Sequence, residues 1–229
     1  IESPDKAWYS QLKKVRGYIP EYLNNTDSVA AFGAGIDTEE LVSVSYDPQF
    51  DDCSYNLMPE LGSSILESSY IAVLNNLEGM KGFAMIINTL ELAMNDSFLP
   101  DVTKFDAMLT LSAHHPAVLS KLMSTMFDLS FEIPSDGTVI SITPPLVLPN
   151  PVNAVIRGDH VVIYTGEQAD KMVLDLEHSS EAKKGLVKAH FDVGKIISGL
   201  NKLSESPKFI ERYAGLADYI QKLNGLDFK

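Results

Sequence analysis

Five times along this chain an apolar, strand-like run ends at a turn and gives way to a helix-like run. The clearest instance spans Phe105 to Phe127, where DAMLTLSA leads into HHPAVLSKLMSTMF. The others are SVAAFGAGIDTEEL, SSYIAVLNNLEGMKGFAMIINTLELA, HVVIYTGEQADKMVLDL and KGLVKAHFDVGKIISGLNKL. A strand buries one face and a helix one stripe, so such units stack helices on sheet. The expected class is α+β, with a mixed or antiparallel sheet and helices packed on its faces. The recurrence suggests two similar halves, residues 1–103 and 104–229, side by side or merged in one compact domain. Together with hairpins around Asp136 and Gly158, the units predict at least seven strands.

Local signals fill in the units. Ser3-Pro4 suits a helix start, with Trp8, Leu12, Val15 and Ile19 as its apolar stripe. Residues 29–35 read as a strand of small residues, and Asp37-Thr38-Glu39-Glu40 as the acidic first turn of a helix. Residues 47–63 read as loop and 70–74 as strand. From Leu77 to Met94 the apolar residues Met80, Phe83, Ile87, Leu90 and Met94 recur at helical spacing, so helix is preferred there over a strand at 83–87. Residues 131–142 read as a strand pair about Ser135-Asp136-Gly137. The proline-rich TPPLVLPNP, residues 143–151, reads as an extended crossing. Ser206-Pro207 opens the last helix, whose buried face is expected to carry Phe209, Tyr213, Ile220 and Leu223 around a central Leu216.

Charge and composition narrow the function. Of 229 residues, 45% are hydrophobic and 21% charged, which supports a folded core. The formal net charge of −13 opposes binding to nucleic acid or to an anionic membrane surface, and no basic patch offsets it. No apolar run reaches the length of a membrane span. Cys53 is the sole cysteine, so neither an internal disulfide nor a cysteine-based zinc cluster is available.

Fragments of known motifs fail on mechanism. Gly33-Ala34-Gly35 lacks the third glycine of a dinucleotide loop, and Asp37 and Glu39 would repel a pyrophosphate. Close packing explains the glycines better. His114, His115, His160, His178 and His190 show no paired ligand spacing, so neither a metal site nor a cofactor is expected. The acidic loop around Asp47, Asp51 and Asp52 lacks a calcium-loop frame. Arg157-Gly158-Asp159 spells an adhesion tripeptide but reads as a hairpin tip.

Six of the eight methionines fall between Met80 and Met126. Methionine fills irregular cores and adaptable apolar surfaces alike. If the second role applies, Met80, Met85, Met108, Met123 and Met126 would line an apolar ligand-binding pocket.

Residues 105–203 run in the order strand, helix, strands, then AVIRGDHVVIYTGEQA and KGLVKAHFDVGKIISGL. This pattern is similar to uncharacterised bacterial envelope proteins and lipoproteins of a duplicated α+β type. The resemblance implies an exported protein of unknown activity, in the periplasm or cell envelope, and it carries no functional residues. Separately, the opening IESPDKAW, read as a short tether, raises the expectation of a signal or lipid anchor upstream of Ile1. The functional expectation is a non-enzymatic protein that binds a protein partner or an apolar, lipid-like ligand. The alternative is a hydrolase whose site is dispersed along the chain. An apolar groove would favour the first, and a cleft with converging titratable groups the second.

Overall fold

The computed structural model of the protein describes residues 13–25, 27–45, 79–126, 132–143, 148–176 and 184–223. In chain order these form β1 (Gly17–Tyr18), a 3-10 turn (Glu21–Asn24), β2 (Ala30–Ala34), α1 (Thr38–Ser45), β3 (Met80–Met94) and β4 (Pro100–Ala113). Next come α2 (Pro116–Met126), β5 (Ile140–Ile142), β6 (Val152–Arg157), β7 (His160–Thr165) and α3 (Glu167–Leu176). The chain then forms β8 (Lys184–Gly185), β9 (Val187–Phe191), α4 (Val193–Ser204) and α5 (Pro207–Leu223).

Seven strands make one sheet in the order β5-β6-β7-β4-β3-β2-β9, and every pairing in it is antiparallel. The expected α+β class is what the chain adopts. Strands from both sides of residue 103 share this sheet, and β4 itself crosses that point. The described elements give no confirmation of two similar halves. Four of the five strand-to-helix units stand: β2 to α1, β4 to α2, β7 to α3 and β9 to α4. The expected start of a first helix at Ser3-Pro4, the loop at 47–63 and the strand at 70–74 lie outside the described residues.

The fifth unit is corrected, because the segment expected to be helical from Leu77 to Met94 contains the strand β3. The cause lies in the register. β-Bulges between Met80 and Gly82 and between Ile87 and Thr89 each add one residue to β3. Along one face the residues therefore run Met80, Phe83, Met85, Ile87, Leu90. The two bulges stretch a period of two into steps of three, which imitates a helical stripe. A second correction concerns 131–142. A turn at Ser135-Asp136 is present, with Asp136 Oδ1 accepting from Thr138 N at 2.9 Å. Only Ile140–Ile142 is a strand, however, and it pairs with β6 instead of folding back on residues before the turn.

The sheet has a helical side and an open side. On the helical side Ile86, Met108, Val155 and Val162 pack against Ala169, Val173 and Leu176 of α3 and against Leu23. Asp106 joins this layer to α3. Its carboxylate accepts from Gln168 N at 2.7 Å, from Ala169 N at 3.1 Å and from Asn88 Nδ2 at 2.8 Å. A β4 side chain thus caps the free N–H groups that open α3, a helix that follows β7 in the chain. Gly33 and Gly35 do serve close packing, since a Cβ at Gly35 would lie 2.5 Å from the Gly185 carbonyl oxygen.

At the C-terminus, α4 and α5 form a small core of Leu203, Phe209, Ala217 and Ile220 against Leu92 and Met94 of β3. The expectation of a central Leu216 is overturned: this residue is 51% exposed. Tyr213 breaks the helix with φ −131° and ψ 40°, so the apolar stripe changes phase at this kink. Phe209, Ala217 and Ile220 face inward and Leu216 outward.

Candidate functional site

The open side of the sheet follows from the register. Three cross-strand rows run from the β9 edge over β2 and β3 to β4. The first is Val187, Ala34, Phe83, Leu111. The second is Ala189, Phe32, Met85, Leu109. The third is Phe191, Ala30, Ile87, Ala107. Every one of these positions is apolar. Val187 is 65% exposed, Phe191 58% and Met85 42%, while Phe32 and Phe83 stack at a tilt with ring centroids 5.5 Å apart.

Farther along the same face, α2 closes the sheet. Its Leu119 packs on Ala113, Ala154, Ile156 and Val161 together with Ile133. One part of the face is therefore core. The part near the β9 edge is a contiguous apolar surface, the kind of patch that marks an interaction site on a folded chain. Among the described residues β9 is also the last strand of the sheet, so one row of its backbone groups has no strand partner among them.

The five methionines divide between the two sides. Met80 and Met85 share the open side, because Met80 pairs with Ala113 and Met85 with Leu109. Met108, only 1% exposed, belongs to the opposite layer under α3. Met123 and Met126 lie on α2, and their side chains are outside the description. The sequence reading singled out the five methionines for a pocket; Met80 and Met85 are the two placed on this face. It missed Phe32, Phe83, Val187 and Phe191, whose alternation along β2, β3 and β9 was the available signal.

Two polar constellations deserve comparison with catalytic geometry. Ser112 Oγ and His160 Nδ1 are 2.9 Å apart across β4 and β7, which pairs a hydroxyl with a base. Both residues are buried, and Tyr18 stacks on the imidazole at 5.1 Å. Burial holds the His160 pKa below its ordinary value; Asp159 raises it and Lys81 lowers it further. Neither residue lines any of the described clefts. Among the described residues the pair reads as a satisfied core contact.

The second is at the start of α1. His114 Nε2 lies 3.9 Å from Asp37 Oδ2 and 3.7 Å from Glu39 Oε2. One donor atom from each residue falls within 4.8 Å of the others. No spacing in the sequence announces this group, since His114 is brought in by a distant strand. Asp37 also caps α1, its Oδ1 accepting from Glu40 N at 3.2 Å. As it stands the group is a cluster of polar side chains beside the start of α1. The acidic loop around Asp47 and the lone Cys53 lie outside the described residues. Arg157-Gly158-Asp159 is the tip of the β6–β7 hairpin, with Gly158 at φ +53° and Arg157 paired to His160.

No protein-family model, curated protein or solved structure matches this chain.

Proposed function

We propose that this is a non-enzymatic binding protein whose working surface is the open sheet face beside β9, and that its occupant is the apolar side of a protein partner. The observation that carries the reading is the unbroken apolar content of three rows across β9, β2, β3 and β4, with Phe191 and Val187 more than half exposed at the edge. Burying such a surface is worth about 25 cal/mol for each Å² removed from water. A small apolar ligand is favoured less, because ligand sites wrap most of their occupant in a concave cavity, whereas these three rows lie on one side of a sheet. Met85 at its centre suits an adaptable contact. The resemblance of residues 105–203 to envelope proteins supports a place in the periplasm or cell envelope as part of the same proposal. Among the described residues a hydrolase could draw on the buried Ser112–His160 pair or on the Asp37, Glu39 and His114 group.

The test is binding of an environment-sensitive apolar dye to the wild-type chain and to a Met85→Asp, Phe191→Asp double variant. Strong fluorescence from the wild type, lost in the variant without a change in melting temperature, is expected. Equal fluorescence from both would overturn the reading. A photo-crosslinking residue at position 189 then identifies the partner: one reproducible adduct, abolished by the double variant, is expected.

A further inference from the structure

His114 stands one residue past the end of β4, and Asp37 one residue before α1. The chain separates them, and the sheet brings them together. Asp37 N donates to the Val15 carbonyl oxygen at 3.0 Å, and Thr38 Oγ1 donates to the Met80 carbonyl oxygen at 3.1 Å. The start of α1 is thereby tied to the start of β3. His114 N donates to the Gly79 carbonyl oxygen at 2.7 Å, just ahead of the same strand. Both backbones are anchored beside residues 79 and 80. Gly79 has φ +79°, and a Cβ there would stand 3.5 Å from His114 Cβ and 3.6 Å from Glu39 Oε1. Any larger side chain at Gly79 would crowd the imidazole and the carboxylate together.

The donor atoms of this group meet without bonding to one another. His114 Nε2 is 3.7 Å from Glu39 Oε2 and 3.9 Å from Asp37 Oδ2. An imidazole N–H bonded to a carboxylate would approach to about 2.7–3.2 Å. One donor atom from each of the three residues lies within 4.8 Å of the others. Around a zinc ion held at about 2.0–2.2 Å, tetrahedral neighbours stand about 3.3–3.6 Å apart. The set is only slightly wider than that, and the half-exposed Glu39 side chain can close the difference by rotation. Asp37 divides its work: Oδ1 accepts from Glu40 N at 3.2 Å and fixes the carboxylate, while Oδ2 faces the imidazole. Two exposed carboxylates alone would be an ordinary solvated pair. The imidazole distinguishes this group, because nitrogen ligands suit zinc and its first-row neighbours, whereas magnesium and calcium take oxygen.

We propose that Asp37, Glu39 and His114 bind a divalent ion of the first transition row, zinc foremost, through Asp37 Oδ2, a Glu39 carboxylate oxygen and His114 Nε2, with a fourth position open to solvent. The site would form whether or not the apolar face docks a partner. The probe is zinc itself, titrated by calorimetry into the full, tag-free chain after dialysis against a chelator, with magnesium and calcium as controls. Zinc is expected to bind at least about 100-fold more tightly than either control. His114→Ala should weaken zinc binding at least about tenfold, and so should Glu39→Gln. His115→Ala, at the exposed neighbouring histidine, should leave it unchanged. Cobalt is the second probe: the wild type should give the strong visible absorption of a four-coordinate site, and His114→Ala should abolish it. Melting temperatures without metal separate loss of the site from loss of the fold, and both variants, at exposed positions, should match the wild type. If His114→Ala melts lower, Glu39→Gln carries the same reading. No zinc binding by the wild type would overturn the proposal, as would magnesium or calcium binding as tight as zinc. Zinc binding undiminished in His114→Ala, or diminished equally in His115→Ala, would also overturn it, since the ion would then sit elsewhere or on any surface histidine.

Discussion

The carboxylate of Asp106 occupies the space where a side chain on Gly166 would stand: a Cβ there would lie 2.4 Å from Asp106 Oδ2. Gly166 has φ +97°, a conformation that disfavours any other residue, and it immediately precedes α3. The two positions therefore form one device that lets a residue of β4 cap α3. Gly166→Ala is expected to destabilise the fold by more than the ~1–2 kcal/mol of the backbone term alone, because it also displaces the cap. Asp106→Ala is expected to cost about 3 kcal/mol by leaving Asn88, Gln168 and Ala169 donors unmet. Denaturant unfolding of the double variant should show a loss smaller than the sum, since removing the carboxylate relieves the clash. Additive losses would show that the two sites act separately.

The kink at Tyr213 makes a sharp contrast within one helix. Phe209 is 3% exposed and Ile220 5%, while Leu216 is 51% exposed. Phe209→Ala is expected to cost about 3–5 kcal/mol and Ile220→Ala about 2–5 kcal/mol. Leu216→Ala should stay within ~0.5 kcal/mol, as for other surface positions. A loss at Leu216 as large as that at Ile220 would mean that the helix runs unbroken through residue 213.

Much of the fold is legible in the residues, and the failures share one physical origin. Pro116, Glu167 and Pro207 begin helices near where turn chemistry places them, and Gly158-Asp159 makes the predicted hairpin. Local signals act over a few residues, and these elements obey them. The strand β3 was misread because its bulges depend on β4, which no window within residues 77–94 contains. Leu216 was misread because a backbone kink reset the helical phase. The open face is written in the alternation of β2, β3 and β9, but it becomes one surface only when the register sets Phe32 between Ala189 and Met85.

Adjacent residues of β3 report on opposite sides of the sheet. Ile86 is fully buried and Met85 is 42% exposed. Ile86→Ala is expected to cost about 2–5 kcal/mol, and Met85→Lys to stay within about 0.5 kcal/mol. Chemical denaturation of the two variants checks the assignment of faces. A Met85→Lys loss of several kcal/mol would show that this side is covered in the isolated protein, and the proposed docking surface would go with it.

His160 gives the fold a dependence on pH whose sign follows from its surroundings. The ring is buried between Tyr18 and Ser112, and burial, its largest influence, holds its pKa below the ordinary value. In the unfolded chain the same ring takes up a proton near pH 6.5. Above that value both states are neutral and the stability contribution is complete. As pH falls below about 6.5 the unfolded state binds a proton that the folded state resists, so stability declines until the folded ring is itself protonated. Melting temperature is therefore expected to fall between about pH 7.5 and about pH 5.5. His160→Gln removes the titration while an amide can still meet the Ser112 hydroxyl. Its melting temperature should fall less steeply over that range, with the contribution of the other four histidines common to both proteins. Parallel slopes for the two proteins would show that the buried imidazole is protonated as readily folded as unfolded, and that the contact with Ser112 tolerates the charge.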